Sequence, residues 1–95
     1  RGGNMRTVHV ENMMSSNGNK VPNQFIIRVN SEGTFFQSYD TIIAAKTPKG
    51  VLLDMWRWDF SVTTGRYRNQ FLGAKLAETR KKIKTGEYTL IDLNR

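Results

Sequence analysis

The sequence predicts an α+β fold: an antiparallel sheet of about four to six strands built from hairpins, one or two C-terminal helices packed on one face, and a final strand. Three observations predict it. Two pairs of β-rich runs are each joined by a short turn ending in glycine, Asn30-Ser31-Glu32-Gly33 and Thr47-Pro48-Lys49-Gly50. After Phe60 the apolar spacing changes from the two-residue period of a strand toward that of a helix. A last β-rich run then follows Gly86.

The elements follow in order. Residues 6–11 (RTVHVE) alternate β-formers with polar side chains and read as a short first strand or, failing that, as part of a flexible arm over residues 1–22. Arg1-Gly2-Gly3 is set aside as an appended segment, with a natural start near Met5. Residues 12–20 are rich in turn formers, and Asn17-Gly18 is the tight turn expected among them. A single domain over residues 23–95 then opens with the hairpin 24–29 (QFIIRV) and 34–39 (TFFQSY). A second hairpin pairs 41–46 (TIIAAK) with 51–54 (VLLD), and extended chain is expected to continue through Phe60. Ser61, Thr63 and Thr64 are possible caps for a short helix over 65–72, closed by Gly73. Residues 74–85 form a better helix, with Gly86 placed to end it. Leu72, Leu76, Thr79 and Ile83 make its inward stripe, and 88–93 (YTLIDL) the closing strand.

Length and composition bound the rest. A chain of 95 residues holds one core. With 11% aromatic residues and a mean hydropathy of −0.54 it is polar without being compositionally disordered. The absence of cysteine excludes a disulfide framework, a thiolate nucleophile and any cysteine-ligated zinc. No apolar run approaches the ~18 residues that span a bilayer, and no signal-peptide pattern opens the chain, so no membrane association and a cytoplasmic location are expected.

The net charge of +7 is unevenly placed. Arg66, Arg68, Lys75, Arg80, Lys81, Lys82 and Lys84 face a single acid, Glu78, within one stretch of the chain. A run of charge on a helix ordinarily means a solvated face. Such a face, however, usually interleaves Glu with Lys at i, i+4, and here only Glu78 to Lys82 has that spacing. Unrelieved self-repulsion instead points to a partner bearing phosphates. Trp56, Trp58 and Phe60 would share one side of a strand, as core beneath the helical stripe or as a platform for stacking bases. The turn before Arg66-Tyr67-Arg68 reads as an ordinary helix cap with surface arginines, or as a site for an anion.

Catalysis has little to work with. His9 is the sole histidine, no serine sits in a G-x-S-x-G context, and Asp40, Asp54, Asp59 and Asp92 are scattered, the first two and the last at expected strand ends. No enzyme, cofactor or metal site is expected.

The strings Asn23-Gln24-Phe25-Ile26-Ile27, Phe36-Gln37-Ser38-Tyr39-Asp40 and Thr63-Thr64-Gly65-Arg66-Tyr67-Arg68-Asn69-Gln70-Phe71-Leu72-Gly73, with Lys81-Lys82-Ile83-Lys84 and Gly86-Glu87-Tyr88 after them, resemble small uncharacterised proteins of bacteriophages. The resemblance covers most of the chain from Pro22 onward. It implies an accessory protein made in the cytoplasm of a bacterial host, and it carries no functional residue with it. The function expected is electrostatic binding of nucleic acid, with the seven cations from Arg66 to Lys84 on phosphates and Trp56, Trp58 and Tyr67 as aromatic contacts. The alternative is a protein-interaction module that inhibits or modulates a host protein, and a third reading is a structural or virion-associated role.

Overall fold

A computed structural model of the chain describes residues 7–95; the expectations for Arg1-Gly2-Gly3, for a start near Met5 and for Arg6 in the first strand lie outside the described residues. Six strands form one sheet in chain order: β1 (Val8–Met14), β2 (Lys20–Val29), β3 (Gly33–Ser38), β4 (Thr41–Thr47), β5 (Gly50–Asp54) and β6 (Tyr88–Ile91). The first four pairings are antiparallel. The last, β5 with β6, is parallel. Two helices, α1 (Val62–Leu72) and α2 (Leu76–Thr85), make the crossover that a parallel pair requires. The α+β architecture is the one read from the sequence.

Of the two readings of residues 1–22, the strand is the one adopted. Val10 and Glu11 pair with Ile27 and Ile26, and β2 already begins at Lys20. The Asn17-Gly18 turn closes this hairpin: the Gly18 amide donates to the Ser15 carbonyl at 2.9 Å, with φ +81° at the glycine. The turn at Gly33 is more constrained. Its φ is +136°, and an added Cβ would overlap the Lys46 carbonyl oxygen on the neighbouring strand, so no other residue fits there.

The expected extension through Phe60 is corrected. Met55 still donates to the Ile91 carbonyl, at 2.8 Å, but Arg57 and Trp58 both turn back to donate to the Asp54 carbonyl, at 3.3 and 3.0 Å. The Asp54 carboxylate also accepts the Trp56 amide at 3.2 Å. The chain therefore leaves the sheet at Asp54, and the alternation that would align Trp56, Trp58 and Phe60 is lost.

Ser61 is the cap that α1 uses, its hydroxyl accepting from the Thr64 amide at 3.1 Å. Gly73 and Gly86, at φ 69° and 89°, end the two helices in the left-handed conformation. The helices cover one face of the sheet. Ile26, Phe36, Ala44 and Leu53 occupy one register row across β2 to β5, and this row is the floor of the core. Phe71 of α1 stacks on Phe36 with ring centroids 5.9 Å apart. Leu72 and Ile83 of the expected stripe pack against the same cluster, and Thr79 is fully buried. A hydrogen bond of 2.9 Å between the buried hydroxyls of Ser38 and Thr64 ties β3 to α1. Burying a ring such as Phe36 contributes about 1.5–3 kcal/mol, so this row anchors the helix layer.

Candidate nucleic-acid interface

Successive residues of an α-helix are rotated by about 100°, which sorts the α2 side chains once Thr79 is known to face the core. Leu76 and Ile83 fall beside Thr79, while Arg80, Lys81 and Lys84 fall within one outward arc of about 100°. All three cations are exposed. Lys82 lies on the flank instead. Its ammonium is 3.2 Å from Glu78 Oε2 and 5.3 Å from the centre of the Tyr88 ring. The Glu78 hydrogen bond, with the tyrosine beside it, holds the Lys82 pKa above its ordinary value.

Arg66 on α1 and Lys75 at the cap of α2 are also exposed, and they open on a shared groove of about 790 Å³ between the two helices. Ser61, Asn69 and the edge of Arg68 line it as well, and Asp59 is its one acid. Among the described residues Arg66, Lys75, Lys81 and Lys84 have no acidic partner.

Arg68, expected on the surface, is instead an interior residue with 1% exposure. Its guanidinium donates to the Trp58 carbonyl at 2.8 Å and to Asn69 Oδ1 at 2.9 Å, reaches Asp59 at 3.4 Å, and lies 5.3 Å over the Trp58 ring. The reason is local. Thr64 and Gly65, one turn earlier on the same face of α1, are small and leave a channel that a long side chain fills. Arg68 is thus withdrawn from any phosphate-contacting set. Asp59 is shared: Arg80 reaches its other oxygen at 3.6 Å, which partly neutralises Arg80 while leaving it 63% exposed.

The expected aromatic contacts also separate. Trp58 and Tyr67 are half-buried against the core. Trp56, by contrast, is 72% exposed, and Phe60 and Val62 are exposed as well. Core packing therefore accounts for Trp58 alone among the three residues of the former ladder.

Sequence reasoning missed one gathering of residues. Asp40, Asp54 and Asp92, far apart in the chain, line a single cleft of about 410 Å³ with Arg57 and Asn94. Asp54 is fully buried there, and both its oxygens are engaged, accepting from the Leu93 amide at 2.9 Å, Asn94 Nδ2 at 3.1 Å and the Trp56 amide. It clamps the end of the chain rather than serving a ligand. Among the described residues no three His, Asp or Glu side chains are disposed to hold a metal ion. His9 is an exposed strand residue, its Nε2 3.8 Å from Glu11. No described helix is long and apolar enough to cross a membrane.

No curated protein and no solved structure matches the chain. A protein-family model does match, over residues 8–87, from the first residue of β1 to the residue before β6. The chain therefore belongs to that family, a family of unknown function (DUF8033).

Proposed function

We propose that the protein binds the phosphate backbone of nucleic acid through the cationic outer face of its helix layer, with Arg66, Lys75, Lys81 and Lys84 as the principal contacts and Arg80 as a partial one. The observation that carries this reading is the set of four exposed cations without an acidic partner among the described residues, on two adjoining helices that border one groove. Each such cation placed on a phosphate releases a condensed counterion, so binding strengthens as salt falls. Arg68 and Lys82 take no part: the first is buried and the second is held by Glu78. Binding through the backbone gives little discrimination between sequences. On the resemblance to small bacteriophage proteins, the setting we propose is the cytoplasm of an infected bacterium.

A second reading has its own observation. Trp56 at 72% exposure, with Phe60 in the same loop and exposed Val62 opening α1, is the kind of aromatic anchor that protein interfaces use. It favours a protein partner docking beside the α1 N-terminus.

Fluorescence anisotropy with labelled single-stranded and duplex DNA at two salt concentrations separates the two. Four phosphate contacts give a slope of about −3.6 in log K against log salt, or a loss of roughly 100-fold between about 50 and 200 mM. Replacing Lys81 and Lys84 by Glu abolishes binding on this reading, whereas Trp56→Ser leaves it intact. No binding at low salt overturns the nucleic-acid reading and leaves the Trp56 loop as the surface to pursue.

A further inference from the structure

The helices cover one face of the sheet, and the other face has a composition of its own. Its central row, read across the register, is Val10, Ile27, Phe35, Ala45, Leu52 and Thr89. The rows on either side are Val8–Val29 and Asn12–Phe25–Gln37–Ile42. None of these side chains is charged. Within the regular register, His9, Glu11, Arg28 and Lys46 fall in the alternate rows, on the helix side, while Lys20 pairs with Met14 beyond the bulge at the far end of the β1–β2 hairpin. None of the central-row residues belongs to the helix-covered core. Val8 and Val10 are more than half exposed, and Phe25, Ile27, Phe35, Ile42 and Leu52 remain partly open to solvent.

In a chain of net charge +7, an uncharged apolar face of this extent is unlike the rest of the surface. We infer that this face is the contact between two copies of the chain, packed sheet against sheet as an isologous dimer. Area supports the choice of occupant. The positions of these rows, each about 4.8 Å by 6.6 Å, project to roughly 380 Å² per copy, so a two-fold pair covers about 760 Å² in projection and more once the relief of the side chains is counted, near the lower bound of about 1,000 Å² for a specific interface. Aligned sheets pack about 10 Å apart with the side chains of the two faces interdigitating, here those of Val10, Ile27, Phe35 and Leu52.

Charge supports it as well. Two copies of a +7 chain repel wherever their cationic faces meet. Sheet-to-sheet packing turns both helix layers outward, roughly 30 Å apart, several times the ~8 Å screening length of physiological salt. The inference is independent of what the helix layer binds, since the dimer is read by mass alone.

The test is sedimentation equilibrium of the full chain across a concentration series, without nucleic acid. The expected result is a species of about twice the monomer mass of 10.9 kDa, dissociating on dilution. Ile27→Lys buries an unpaired charge from each copy at the centre of the contact and raises the dissociation constant by at least about 100-fold. Val10→Glu, at a side chain 56% exposed in the single chain, does the same without touching the core, and decides the matter if Ile27→Lys does not fold. Trp56→Ser leaves the dimer unchanged. A monomer at every concentration overturns the inference, and so does a dimer that tolerates Val10→Glu. A monomer that sediments with neutral phosphatidylcholine vesicles also overturns it, assigning the face to lipid.

Discussion

Replacing Arg68 by alanine should cost this domain a large share of its stability, although the residue belongs to the most basic stretch of the sequence. The side chain has 1% exposure and makes two short hydrogen bonds, to the Trp58 carbonyl at 2.8 Å and to Asn69 Oδ1 at 2.9 Å. The ion pair with Asp59 adds little, being long at 3.4 Å and shared with a carboxylate side chain that is 40% exposed. Hydrogen bonds from a charged donor contribute about 1.5–3 kcal/mol each, and the stranded Trp58 carbonyl and the vacated channel add to the loss, so the total is about 3 kcal/mol or more. For a domain of this size that lowers the melting midpoint by about 12–24 °C. Urea denaturation followed by tryptophan fluorescence measures it, and Trp58 lies directly under the guanidinium. Arg66→Ala, two residues away and exposed, is the control and should change stability by less than about 0.5 kcal/mol. Equal effects at the two positions, or a loss below about 1 kcal/mol for Arg68→Ala, would refute the reasoning.

Two further outcomes follow from the same contacts. Asn94 donates from Nδ2 to the Ile42 carbonyl at 2.9 Å and accepts the Ile42 amide on Oδ1 at 2.7 Å, so Asn94→Ala should cost about 1–2 kcal/mol and speed hydrogen exchange at the Ile42 amide, while unchanged exchange there would contradict the assigned pairing. Glu11 accepts a hydrogen bond from Arg28, and that bond first of all holds its carboxyl below its ordinary pKa. A carboxyl more acidic in the folded chain stabilises fully above its unfolded pKa and loses that contribution as pH falls through the folded value, so Glu11→Gln should lower the melting midpoint at neutral pH and make no difference in strong acid; the same difference at both pH values would contradict the linkage.

The hairpins were legible because turn chemistry and β-rich runs agree locally, as at Glu32-Gly33 and Lys49-Gly50. The α2 stripe was legible because Leu76, Thr79 and Ile83 keep helical spacing, whereas Leu72, read with them, is the last residue of α1. The inward face of α1 was not. It is built from Thr64, Gly65, Arg68 and Phe71, of which only the last is a large apolar residue, so hydrophobic periodicity gives no sign of which side is buried. Arg68 was misread for that reason. The turn at 55–58 escaped notice because Trp56 and Trp58 are good strand formers in isolation, and the carboxylate that draws the chain aside belongs to the preceding residue pattern, at Asp54. The cleft joining Asp40, Asp54 and Asp92 depends on the tail folding back over β5, a tertiary event with no local signature. Of the charged stretch, the sequence did not show which members point outward; a helical wheel anchored on a known buried residue is the step that separates Lys81 and Lys84 from Lys82.

The strictly sequential order of the strands bears on how the chain acquires its shape. Each of the first four pairings joins neighbours separated only by a tight turn, so every loop to be closed is short and its entropic cost small. A meander of this kind has low contact order and assembles quickly, each strand meeting a partner synthesised just before it. The parallel pairing of β5 with β6 differs, because both helices lie between Asp54 and Tyr88 in the chain and the loop to be closed is long. The one long loop of the sheet is therefore the crossover that carries the helix layer, and β6 with the Asn94 clasp on Ile42 closes it.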